Sequence, residues 1–148
     1  MDNKQINIGL FGFGTVGKGL YDVLKKIQPE NVSIVKVCVR NVAKHSAEAP
    51  ELEFTNNADD IFTDSRINFI VELIDDAEAA YGIVKRALQA KIPVVSGNKK
   101  MLARHIQEMI QLQRDNDTAL LYDASACGSI PVIRNLEEYY DNDLLISV

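Results

Sequence analysis

The sequence is poor in cysteine, lacks any long apolar run and carries no excess of positive charge. Its two cysteines, Cys38 and Cys127, are too few for a disulfide framework and show no metal-ligand spacing. They read as reduced thiols of a cytoplasmic protein, serving as packing residues. No stretch reaches the roughly 18 to 20 apolar residues that cross a bilayer, so no membrane span is expected. The start, Met1-Asp2-Asn3-Lys4-Gln5, has no charged-then-apolar leader pattern, and export is not expected. With 16 Lys+Arg against 21 Asp+Glu the net charge is −5. That balance argues against nucleic-acid binding, which needs basic surface to displace counterions. Internal repeats and low-complexity tracts are also lacking.

What remains is the composition of an ordinary globular domain, with 148 residues, 47% hydrophobic and 25% charged. Such a chain buries roughly 70% of its unfolded surface, enough for a real core. The length fits one domain and a fragment of another, and excludes a complete two-domain enzyme of about 300 residues.

Short apolar runs alternate with segments of helical period. Ile6 to Phe11 reads as a buried strand. Val16, Leu20, Val23, Leu24 and Ile27 then fall on one helix face, with Lys25 and Lys26 in the last turn and Pro29 beyond it. Val32 to Val39 is a second strand. Arg40 to Glu53 is polar and poorly periodic, and reads as a loop. Ile67 to Ile74 is a third strand. Asp75-Asp76-Ala77-Glu78 has the form of a capping box before a helix with Ala77, Tyr81, Val84 and Leu88 on its apolar face. Pro93 to Ser96 is a short strand, and Leu102, Ile106, Met109 and Ile110 mark a long helix. Ala119 to Tyr122 is a further strand. A helix with Val132, Ile133, Leu136 and Tyr140 on one face follows Pro131, and Leu144 to Val148 starts a strand. Strands separated by helices form parallel sheets. The expected fold is α/β, a doubly wound parallel sheet of Rossmann type.

The strongest chemical signal is Gly12-Phe13-Gly14-Thr15-Val16-Gly17, a G-x-G-x-x-G turn between a strand and a helix. Gly12 permits the tight turn, Gly14 lets a pyrophosphate approach the backbone, and Gly17 lets helix and strand pack closely. The helix N-terminus adds free N–H groups and the positive end of a dipole. The structural alternative is a tight turn with no ligand. An NAD site usually carries Asp or Glu at the end of the second strand, to accept from the ribose hydroxyls. Here Arg40 stands there, with Lys44 four residues on. A guanidinium cannot accept from a hydroxyl but pairs well with a 2′-phosphate. The expected cofactor is therefore NADP, with NAD as the alternative.

Val94-Val95-Ser96-Gly97-Asn98-Lys99-Lys100 stands at a strand end, where ligands bind in open α/β sheets. With the glycine turn, it resembles the V-V-[ST]-x-N-K motif of homoserine dehydrogenases. Val71-Glu72-Leu73-Ile74 resembles that family's V-E-L stretch. Tyr122 to Pro131 resembles its Y-E-A-x-V-x-G-G-I-P stretch. The resemblance covers essentially the whole chain. It implies NAD(P)-dependent interconversion of L-homoserine and L-aspartate 4-semialdehyde, serving threonine and methionine biosynthesis. It implies an NAD(P)-binding domain over residues 1–130 and the start of a truncated substrate and dimerisation domain over 131–148. It places the pyrophosphate on the glycine turn, with backbone contacts from Phe13, Thr15 and Val16. Ile74 and Ser96 would flank the nicotinamide end. Lys99 would lie beside the nicotinamide and the substrate hydroxyl as the catalytic lysine. An ammonium there can orient a hydroxyl or stabilise alkoxide charge.

The resemblance also implies a sodium ion on Asp123, Ala126, Gly128 and Ile130, oxygen ligands suited to a hard cation. Asp123 departs from the family's usual Glu, and Cys127 and Ser129 stand where small residues are usual. Asp75 and Asp76 replace glycines, and capping explains them, so both are expected to face solvent or helix N–H groups. His45 reads as a loop residue and His105 as a helix-face residue. The family's substrate-binding carboxylates and second catalytic lysine belong to the substrate domain. The chain alone is therefore expected to bind cofactor without turning over homoserine, and the full-length protein to be a homo-oligomer. Two other readings share the glycine turn: a non-catalytic nucleotide-sensing module, and another two-domain NAD(P) dehydrogenase.

Overall fold

The computed structural model describes residues 5–122. In chain order the elements are β1 (Ile6–Phe11), α1 (Thr15–Ile27), β2 (Val32–Cys38), α2 (Val42–Glu48), β3 (Phe54–Thr55), α3 (Asp59–Phe62), β4 (Phe69–Glu72), α4 (Ala77–Gln89), β5 (Val94–Ser96), α5 (Lys99–Asp115) and β6 (Leu120–Leu121). The strands form one sheet in the order β3-β2-β1-β4-β5-β6, and every pairing is parallel. Strands are added on one side of β1 and then, from β4, on the other. Ligand crevices open at such a reversal, beyond the carboxyl ends of the strands.

Alternation along the strands divides the core between the two faces. Leu10, Val37 and Val71 pack on one face, with Leu20, Tyr21 and Leu24 of α1 partly buried against them. Phe11, Ile70 and Val94 face the other way, against Ala80, Val84 and Leu88 of α4 and Met101 and Met109 of α5. Leu10 is completely buried. Truncating such a side chain to alanine costs roughly 3 kcal/mol.

Three local expectations are corrected. The helix face of α1 is rotated from the one expected. Gly17, Leu20, Tyr21 and Leu24 meet the sheet, whereas Val16, Val23 and Ile27 are 65%, 52% and 67% exposed. The cause is Gly17. Without a Cβ it lets the helix close onto the β1 turn, and the contact face is set around it. The stretch expected as a loop after Arg40 contains α2. Asn41 caps it, its side chain accepting from the Lys44 N–H, and Val42 and Ala49 pack into the core. His45 is thus helical, with its ring edge-on to Phe13 and stacked on Phe54. The capping box before α4 does not form. Asp76 is the N-cap and accepts from the Glu78 and Ala79 N–H groups, while Glu78 pairs with Arg104. Moving the cap one residue along puts Glu78 at the second helical position, where it cannot reach back.

His105 lies on a helix face as expected, its ring 4.2 Å from that of Tyr81. Cys38 is a free, half-buried thiol, and burial pushes its pKa up. Among the described residues no helix is long and apolar enough to cross a membrane. The helix and strand expected after Pro131, and the domain boundary at 130, lie outside the described residues.

Candidate functional site

A cleft of about 980 Å³ opens at the carboxyl ends of β1, β2 and β4. Its lining includes Phe13, Gly14, Thr15 and Val16 from the glycine turn. Arg40, Lys44 and His45 line it from the β2 side, and Ile74, Asp76 and Ala79 from the β4 side. The structure therefore brings seven of the expected site residues to one cavity: Phe13, Gly14, Thr15, Val16, Arg40, Lys44 and Ile74.

The turn is built as its glycines require. Gly12 has φ +96°, and an added Cβ there would lie 2.6 Å from the Leu73 carbonyl oxygen. Its N–H donates to the Cys38 carbonyl, which ties the turn to the end of β2. A Cβ on Gly17 would lie 2.3 Å from the Gly12 carbonyl oxygen. Gly12 and Gly17 thus shape the turn from behind. A Cβ on Gly14 would meet nothing within 4 Å, because this residue faces open space. Gly14 is also the N-cap of α1. No side chain caps that helix, and no acidic residue lies in its first turn. The other long helices have capping side chains, Asp76 on α4 and Asn98 on α5. The N-terminus of α1 therefore offers unsatisfied N–H donors and a dipole end to the cleft.

The phenyl ring of Phe13 is buried against Tyr21, His45 and Phe54. Arg40 reaches outward, its side chain 90% exposed, with Nη2 3.8 Å from Asp76 Oδ2. The Ala79 and Glu78 N–H groups hold the Asp76 carboxyl below the usual carboxylate range. Of the two aspartates expected to face solvent or helix N–H groups, Asp76 does cap the helix, and it also faces the cleft.

The β4 and β5 ends are locked by one polar network. Glu72, completely buried, accepts the Ile74 N–H at 2.7 Å and the Ser96 hydroxyl at 2.6 Å. Ser96 Oγ in turn accepts the Asn98 N–H. The Asn98 amide donates to the Ile74 carbonyl, and its Oδ1 accepts the Met101 N–H and so caps α5. Lys99 opens that helix and is exposed. Ser96 and Lys99 do not line the cleft, and Ser96 turns its hydroxyl inward to Glu72.

Sequence reading missed the role of Glu72. Its signal was present, a lone carboxylate inside the apolar run Ile67 to Ile74. It also missed the Arg40–Asp76 pair, which joins two loops far apart in sequence. The expected sodium ligands Asp123, Ala126, Gly128 and Ile130 lie outside the described residues. Among the described residues no cluster of His, Cys, Asp or Glu has the arrangement of a metal site.

Comparison with known proteins agrees with this architecture. A family model described as homoserine dehydrogenase, NAD binding domain, matches residues 12–123. The homoserine dehydrogenase of Lactococcus lactis is 34% identical, over 93% of this chain and 35% of that protein. The Helicobacter pylori enzyme is also 34% identical, over 91% of this chain and 33% of that protein. The crystal structure of a homoserine dehydrogenase from Thiobacillus denitrificans superposes with a TM-score of 0.82 at 34% identity, covering 91% of this chain and 33% of that one. The chain thus spans about a third of the length of these relatives. It belongs to the homoserine dehydrogenase family, and its residues 12–123 match that family's NAD-binding domain.

Proposed function

We propose that this chain is the cofactor-binding portion of an NADP-dependent homoserine dehydrogenase, which interconverts L-homoserine and L-aspartate 4-semialdehyde. The observation that carries the reading is the uncapped N-terminus of α1, with Gly14 open to a cleft that Arg40 and Lys44 flank. The α1 N–H groups and the backbone at Phe13, Thr15 and Val16 hold the pyrophosphate. Arg40 and Lys44 select the 2′-phosphate. Ile74 would flank the nicotinamide end, with the buried Ser96 behind the cleft wall, bonded to Glu72. When bound, the cofactor supplies the two-electron acceptor or donor.

Lys99 acts from the first turn of α5. The Glu72–Ser96–Asn98 network fixes where that turn begins, and so where the lysine stands. Its ammonium orients the substrate hydroxyl and stabilises oxyanion charge. A cation in the first turn opposes the helix dipole, a placement that function rather than stability explains. A sodium ion on Asp123, Ala126, Gly128 and Ile130, service in threonine and methionine biosynthesis, a cytoplasmic location and a homo-oligomer belong to the same reading. The homoserine-binding carboxylates belong to the part of the family's length that this chain does not span, so these 148 residues bind cofactor without turnover.

The test is homoserine-dependent reduction of NADP by the protein in its native length, and by residues 1–148 alone. Turnover by the first and none by the second is expected. A native protein that binds the cofactor but leaves homoserine unchanged would contradict the substrate assignment.

A further inference from the structure

Glu72 is a completely buried carboxylate, and no cation pairs with it among the described residues. Burying such a charge is costly, and an isosteric neutral side chain would fill the same space. The acid is nevertheless placed at the carboxyl end of β4, beside β1, where the sheet reverses its order. Its two oxygens accept one hydrogen bond each, from the Ile74 N–H and the Ser96 hydroxyl. Burial, the larger effect, raises its pKa and the two hydrogen bonds oppose that rise, so the carboxylate is charged at pH above the raised value. Ile74 lines the cleft, and Glu72, two residues before it, accepts its N–H.

We propose that Glu72 is a positioning residue that also sets the redox preference of the site: its buried negative charge favours the oxidised, cationic nicotinamide ring over the reduced, neutral one. The inference rests on the cofactor reading above, which puts the nicotinamide end at Ile74 and Ser96. It adds a group that touches neither cofactor nor substrate. Glu72 acts through the two residues that it orders and through its field. A low-dielectric interior carries that field further than water does. Oxidised and reduced cofactor differ by one positive charge on the ring, so a nearby fixed charge separates their affinities. Ordering of the loop alone would strengthen both equally.

The experiment compares dissociation constants of NADP and NADPH for the wild type, Glu72→Gln and Glu72→Met at pH about 9, where the raised carboxyl is ionised, by calorimetric titration of the purified chain. Thermal unfolding identifies which variants are folded. Both substitutions keep the side-chain length and remove the charge, and either one, if folded, carries the test. The expected result is a shift of the affinity ratio toward NADPH on the order of tenfold. An unchanged ratio in a folded variant, including an equal loss of affinity for both forms, would overturn the proposal. A folded wild-type chain that binds neither form would instead overturn the cofactor reading on which it rests.

Discussion

The Arg40 guanidinium and the Asp76 carboxylate join the loops after β2 and β4, the two strands that flank β1, with Nη2 and Oδ2 3.8 Å apart. Exposed pairs of this kind contribute little to stability. The importance of this one lies in the cleft that both residues line. Arg40 is the group expected to receive a 2′-phosphate, and Asp76 would compete for it and repel that phosphate.

Two substitutions should therefore move cofactor preference in opposite directions. Arg40→Ala should weaken NADP binding about tenfold or more, with little change for NAD, since a charge-assisted bond to phosphate is lost. Asp76→Asn keeps a good helix cap and removes the competing charge. It should tighten NADP binding severalfold relative to NAD. Titration of each variant with both nucleotides checks this. Unchanged affinities for both in Arg40→Ala would sink the NADP assignment.

Gly14 and Gly17 are three residues apart and should behave oppositely. Gly17→Ala places a methyl 2.3 Å from a backbone oxygen that has nowhere to go. It should cost about 3 kcal/mol and lower Tm by roughly 10 °C. Gly14→Ala meets no protein atom and should leave Tm within a few degrees while weakening nucleotide binding severalfold. A Gly14→Ala chain that binds as tightly as wild type would place the pyrophosphate elsewhere.

Burial raises the pKa of Glu72, with the Ser96 and Ile74 hydrogen bonds opposing it. A carboxyl that holds its proton more tightly when folded adds stability below its unfolded value of 4.5. That contribution disappears as pH rises through the folded pKa. The Tm difference between Glu72→Gln and wild type should therefore move in favour of the variant as pH rises from about 4 to about 8. Unfolding curves across that range decide it, and a difference independent of pH would mean that folding leaves the pKa of Glu72 unshifted.

Lys99→Met should leave Tm nearly unchanged, because the side chain is exposed and forms no ion pair among the described residues. In the native-length protein it should reduce kcat on the order of a hundredfold or more. A variant with near-normal kcat would remove Lys99 from the chemistry.

The fold was legible because its signals are local. The strand-turn-helix spacing around Gly12 to Gly17 and the apolar runs at Ile6, Val32, Ile67 and Pro93 each mark a segment by period or by glycine. What escaped depended on contacts between distant segments. The rotation of α1 follows from how closely Gly17 approaches Gly12, which exposes Val16, Val23 and Ile27 despite their regular spacing. The helix α2 hides because Val42 and the capping Ala49 are the aliphatic residues it sends into the core, and Asn41 starts it with a single side-chain hydrogen bond. The same holds in the site. Arg40 and Lys44 were found by position after a strand, whereas the inward turn of Ser96 toward Glu72 required the register of β4 against β5.

The central claim is tested most directly by titrating the purified 148-residue chain with NADP and with NAD under one buffer condition. The account predicts saturable binding of one nucleotide per chain, with NADP tighter by about tenfold. No saturable binding of either nucleotide to a folded chain would contradict it.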